Sequence, residues 1–143
     1  MITMQKHTRD GFSLIEIMIA IAILAIVAVS VGPAIFRQLD KAKTARARTD
    51  LVAIRSAIDQ YNLDTSQYPS TLRDLVVRPA EEAASRKWDG PYLKGKDAPK
   101  DPWGRKFIYE VTEGEEHPYK LLSYGKQGKS AKEAEWISVW DED

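Results

Sequence analysis

Gly11-Phe12-Ser13-Leu14-Ile15-Glu16 opens an apolar run that continues through Ile17-Met18-Ile19-Ala20-Ile21-Ala22-Ile23-Leu24-Ala25-Ile26-Val27 and on to Gly32-Pro33-Ala34-Ile35-Phe36. No charged side chain falls between Ile17 and Phe36. At 1.5 Å per residue these 20 positions reach across the roughly 30 Å hydrocarbon core of a bilayer. The segment before them is short and polar, with Lys6 and Arg9 against Asp10, and positive flanks stay on the cytoplasmic side. A membrane-spanning helix over residues 12–36, N-terminus inside, is therefore expected. A secretory signal peptide would carry a shorter apolar core and a small-x-small exit site. Here Arg37-Gln38-Leu39-Asp40-Lys41 follows instead.

Glu16 is the anomaly in this run. A carboxylate near the bilayer centre costs about 2.5–3.5 kcal/mol on insertion scales, so an acid kept in an otherwise clean span is a functional candidate once a partner is named. A side chain one helical turn inside the membrane also has the option of snorkelling to the headgroups. Cleavage between Gly11 and Phe12 would create the partner, because the new α-amine of Phe12 is cationic and lies in the same membrane layer as Glu16 of a neighbouring copy. Pairing of that kind is self-assembly.

Composition narrows the chemistry. The chain has 143 residues with 21 Lys+Arg and 21 Asp+Glu, so no global field argues for a nucleic-acid partner. Cysteine is absent, which excludes disulfides, thiolate nucleophiles and Cys-type metal sites. The two histidines are His7, before the apolar run, and His117, in the loop-like string Glu113-Gly114-Glu115-Glu116-His117-Pro118. A Ser/His/Asp mechanism would rest on His117 alone, and a loop histidine is ordinarily solvated. Asp89, Asp97, Asp101 and Glu110 are the acids a membrane-anchored enzyme or calcium-regulated binding protein would use. They show no paired spacing and read as scattered, solvated side chains. The chain is not expected to be an enzyme.

Beyond the span the pattern becomes periodic. Ala47, Leu51, Ile54, Ile58 and Tyr61 recur at helical spacing, and no Gly or Pro interrupts residues 34–65. Helix is expected from Phe12 to Thr65, its stripe packed on the chain's own head because the heptad is too short for a coiled coil. Lys41, Lys43, Arg46 and Arg48 fill a solvated or juxtamembrane face. Pro33 lacks the N–H that would donate to the Val29 carbonyl, so a kink or locally melted turn is expected there. Ser70 to Val77 reads as a short helix capped by Ser70. Residues 79–106 read as a long structured loop, in which Asp101-Pro102-Trp103-Gly104 suits a type I turn. Lys106–Val111, Tyr119–Tyr124 and Trp136–Trp140 are the candidate strands of a small antiparallel sheet. Trp88, Trp103, Trp136 and Trp140 are expected in the core.

The hexapeptide Gly11 to Glu16 resembles the leader motif of type IV pilins and pseudopilins. In that superfamily a prepilin peptidase cuts after the glycine and N-methylates the new phenylalanine, and the glutamate is needed for assembly. The resemblance makes Gly11 the last leader residue, Phe12 the methylated terminus and Glu16 the assembly acid. It also implies loosening of the helix around Pro33. Tyr68-Pro69-Ser70, Leu72 to Leu75, Gly90-Pro91-Tyr92-Leu93-Lys94 and Asp101 to Gly104 resemble the major pseudopilin of type II secretion systems.

That resemblance implies an α+β, pilin-like fold, with a long N-terminal helix, transmembrane in its first half, packed on a three-stranded antiparallel sheet. The implied organisation is a leader at 1–11, a transmembrane and assembly helix at 12–36 and a periplasmic domain at 37–143. The implied role is a structural subunit of a periplasmic pseudopilus that exports folded proteins across the outer membrane. Its partners are further copies of the chain, prepilin peptidase, minor pseudopilins and the inner-membrane assembly platform, with no nucleic acid. A type IV or competence pilin, or a non-major or specialised pseudopilin, is the alternative. The resemblance further implies calcium in the loop before the last strand, where Leu122, Ser123, Gln127, Glu133 and Glu135 are the candidate ligands. Gln127, Ala134 and Trp136 stand where acids are expected, and Lys120, Lys126, Lys129 and Lys132 oppose a dication. Local ion pairs of Lys129 or Lys132 with Glu133 or Glu135 are the other way to hold that loop.

Overall fold

The computed structural model describes residues 11–112 and 115–141, without the side chains of residues 30–34. Its long helix, α1, covers Leu14–Thr65. Gly11, Phe12 and Ser13 precede it in irregular backbone, so α1 begins two residues later than expected. The Ser13 carbonyl accepts from the amides of Glu16 (3.1 Å) and Ile17 (3.2 Å), the first turn of the helix. The backbone is helical through position 33, and the melted turn expected at Pro33 is not present. A single missing backbone hydrogen bond is a local loss that a helix of 52 residues tolerates. Among the described residues no helix is long and apolar enough to cross a membrane. The span expected over residues 12–36 includes positions 30–34, whose side chains lie outside the described ones.

The chain divides into two compact units between Leu39 and Asp40. In the first, the side chains of residues 11–29 and 35–39 are exposed. In the second, the α1 stripe is buried as its spacing requires: Ala47, Leu51, Ile54, Ile58 and Tyr61, joined by Ala57, form the floor of the core. Leu72, Leu75, Ala84, Phe107, Tyr119, Leu121 and Ile137 close over it. α1 stops where Ser66 takes a left-handed φ of 63°, its amide still donating to the Asn62 carbonyl at 2.8 Å.

The segment expected as a Ser70-capped helix is one 3-10 turn, Leu72–Leu75, and its cap is Thr71. The Thr71 amide donates to Asp74 Oδ2 at 2.8 Å, which favours Thr71 over Ser70 because only Thr71 has an acid three residues on. The loop expected over 79–106 contains a short helix, α2, at Glu82–Lys87. It is six residues of good helix formers with one buried position, Ala84, too short for a periodic signal.

Strands β1 (Ile108–Val111), β2 (Tyr119–Ser123) and β3 (Ile137–Ser138) form an antiparallel sheet in the order β1-β2-β3. Ile108 pairs with Leu122 and Leu122 with Ser138. All three strands are shorter than expected, β3 most of all, because turns claim their ends. Tyr119, Leu121 and Ser123 are buried, while Lys120 is exposed, the alternation of a half-buried strand.

None of the tryptophans is fully buried. Trp88, Trp103 and Trp140 lean on the core, whereas Trp136 stacks edge-on against Tyr124 and lines a groove with Glu110, Lys120, Glu133 and Asp141. The indole N–H of Trp88 donates to the Asp74 carbonyl (2.8 Å) and that of Trp140 to the Tyr119 carbonyl (3.0 Å), whereas that of Trp103 is buried without an acceptor among the described residues.

Candidate functional site

Two places carry the candidate residues, the start of α1 and the loop between β2 and β3. At the first, the Gly11–Phe12 bond lies outside the helix. A Cβ built on Gly11 meets nothing within 4 Å. Folding therefore gives no reason for a glycine at position 11. Glu16 lies in the first turn of α1, where the helix dipole favours an acid. Its carboxylate is exposed and meets no basic side chain among the described residues. Phe12, Leu14 and Ile15 beside it are exposed apolar side chains at 79%, 80% and 60%. Nothing is described of the Pro33 side chain.

The β2–β3 loop is built differently from what its acids foretell. Leu122 lies in β2, paired on both edges. The Ser123 hydroxyl donates to Asp101 Oδ2 at 2.7 Å and accepts from the Gly125 amide at 3.1 Å. Gln127 Nε2 donates to Glu135 Oε1 at 3.0 Å, and Glu135 Oε2 accepts from the Lys132 amide at 3.2 Å. The expected ion pairs of Lys129 or Lys132 with Glu133 or Glu135 are not formed among the described residues; an amide side chain and a backbone N–H serve Glu135 instead. Among the described residues no three His, Cys, Asp or Glu side chains gather as a metal ion needs. Calcium takes six to eight oxygens, and in this loop the Ser123 hydroxyl and both carboxylate oxygens of Glu135 are already engaged within the fold.

The residue that organises this region is Asp101, which stands only 5% exposed rather than solvated as expected. Its Oδ1 accepts from the amides of Trp103 (3.1 Å) and Arg105 (2.8 Å), and Gly104 donates to its carbonyl at 2.8 Å, completing the turn read from the sequence. Gly104 takes φ 83°, the conformation that favours glycine there. Asp101 is isolated in the sequence from Ser123, so only the turn was legible. Asp89, Asp97 and Glu110 are exposed, as scattered acids should be. His117 stacks on Trp140 with ring centroids 4.1 Å apart.

Comparison with known proteins falls on both regions. Residues 6–32 match the prokaryotic N-terminal methylation motif, and residues 34–140 match the family described as type II secretion system (T2SS), protein G. The type II secretion system core protein G of Pseudomonas aeruginosa is 40% identical over 146 positions, covering 96% of this chain and 99% of its own. That of Vibrio cholerae is 36% identical, covering 91% and 88%. The crystal structure of the major pseudopilin from the type 2 secretion system of enterohaemorrhagic Escherichia coli superposes with a TM-score of 0.57 at 31% identity, covering 73% of this chain and 92% of that one. With the methylation motif running into α1 and the family match covering the rest, the chain belongs to the type II secretion system protein G family, and it is a structural subunit of the pseudopilus.

Proposed function

We propose that the chain is made as a precursor in which residues 1–11 are a leader, that prepilin peptidase cuts between Gly11 and Phe12 and methylates the Phe12 amine, and that this amine then pairs with Glu16 of a neighbouring copy. Residues 12–36 lie in the bacterial inner membrane with the N-terminus cytoplasmic, and residues 37–143 lie in the periplasm. Further copies of the chain, minor pseudopilins and the inner-membrane assembly platform are its partners in building the periplasmic filament. Pro33 serves assembly by leaving one turn of the packed helix short of a hydrogen bond.

One observation carries this reading: from Leu14 to Val29 the helix exposes apolar side chains on every face, with Glu16 the single charge among them. Such a surface is unfavourable in water and is stable only in lipid or against like helices. Within either, a carboxylate and an ammonium attract far more strongly than in water, and that attraction offsets the cost of taking each from water. The free space at Gly11 supports the same reading, since a glycine that the fold does not require is available to be read by a peptidase.

Intact-mass analysis of membrane-extracted protein, coexpressed with prepilin peptidase, tests the processing. The expected chain begins at Phe12 and carries one added methyl group. A chain that keeps Met1 to Gly11 under those conditions contradicts the proposal.

A further inference from the structure

Arg105 sits between the buried Asp101 turn and the β2–β3 loop. Its Nε lies 3.8 Å from Asp101 Oδ2, and its Nη2 donates to the Gly125 carbonyl. Its Nε is buried with no hydrogen-bond acceptor among the described residues, and the Asp101 carboxylate is the charge that balances it there. The loop is shaped around the guanidinium: a Cβ on Gly128 would fall 2.9 Å from Arg105 Nη1, and Gly125 and Gly128 both take positive φ, at 65° and 68°. Gly125 is tied to the same carboxylate a second time, through its amide to Ser123 Oγ and from there to Asp101. The loop is fastened to α1 separately by Lys126 Nζ, 2.6 Å from Asp40 Oδ2.

We propose that Arg105 is the resident cation of the β2–β3 loop: its guanidinium bridges the buried Asp101 carboxylate to the Gly125 carbonyl, and the loop holds its conformation without a divalent metal ion. A guanidinium suits this position better than an ammonium, because its planar fork addresses a carboxylate and a carbonyl at once and it stays charged at every physiological pH. A metal ion brought to the same oxygens would be repelled by the charge already in place.

Hydrogen exchange read by mass spectrometry on the full-length chain in detergent micelles tests this. The protein is compared in excess EGTA and in calcium at about 5 mM, above the range in which extracellular calcium modules bind. Wild-type exchange across residues 124–136 should agree within about twofold between the two conditions, and the melting temperature should not move. At about 5 mM a site with a Kd of about 0.1–1 mM would raise that temperature by roughly 5–10 °C for a domain of this size, so such a rise, or a tenfold slowing of loop exchange, overturns the proposal. Arg105→Gln should speed loop exchange about tenfold or more while leaving β1 and β2 protected, with no rescue by calcium. Loop exchange in that variant within twofold of wild type also overturns it. Should Arg105→Gln fail to fold, the wild-type comparison still decides whether the loop depends on a metal ion.

Discussion

A carboxylate as buried as that of Asp101 is tolerated because each oxygen meets a donor, two backbone amides on Oδ1 and the Ser123 hydroxyl on Oδ2, and because the Arg105 charge lies 3.8 Å from Oδ2. Removing it strands those donors, and Asp101→Ala should lower the unfolding free energy by about 2–4 kcal/mol in urea titrations. Asp89→Ala, at an exposed site, should stay within about 0.5 kcal/mol. The turn at Asp101 was legible because Pro102 and Gly104 announce it. Its burial was not, because Ser123 lies 22 positions away and no local pattern reports such a contact. Gly11 is the reverse case, a residue whose meaning is clear in the sequence and unexplained by the fold. Gly11→Val should therefore leave the head's thermal unfolding unchanged and abolish leader removal, seen as a precursor that does not shift on denaturing gels.

Among the elements, α1 was the most readable, since a stripe at helical spacing implies both the helix and its buried face. Ile58 is fully buried at the centre of that stripe, and Ile58→Ala should cost about 2–5 kcal/mol by the loss of packed methyl groups. Leu63→Ala, at a residue 81% exposed, should cost less than about 0.5 kcal/mol, although both lie on the same helix. α2 and the extent of β3 escaped the sequence for one shared reason. Six- and two-residue elements hold too few side chains to establish a period, and their existence depends on what packs against them. In the β2–β3 loop the ion pairs expected of Lys129 or Lys132 give way to contacts from Gln127, a backbone amide and the distant Arg105, and the lysine that does pair, Lys126, reaches Asp40 outside the loop.

At the scale of the molecule, the head is stapled by tyrosines. Tyr109 donates to the Pro69 carbonyl at 2.9 Å and Tyr92 to Asp64 at 2.7 Å, while the Tyr119 ring packs against Tyr68, Tyr109 and Trp140. Burial pushes the Tyr119 hydroxyl up to about 12, with the Asp59 charge adding to it. Burial, then the bond to Asp64, pushes that of Tyr92 to about 12, and Tyr109 and Tyr61 are raised by burial in the same way. A phenol with a raised folded pKa keeps its proton where the unfolded chain releases it. Its stabilising contribution is complete below about pH 10 and is lost as pH rises through about 12. The unfolding midpoint should fall steeply over that interval, and tyrosinate absorbance should rise together with the loss of far-UV circular dichroism.

The account of the whole rests on Glu16 as the assembly acid in an otherwise apolar helix surface. The most direct test is Glu16→Leu, coexpressed with prepilin peptidase and the secretion machinery, with filaments counted by electron microscopy of sheared fractions and the N-terminus read by mass. The account predicts protein correctly trimmed to Phe12 and held in the membrane, with filaments reduced at least about tenfold, as expected for loss of a desolvated ion pair. Filaments at wild-type yield from correctly trimmed Glu16→Leu protein would contradict it.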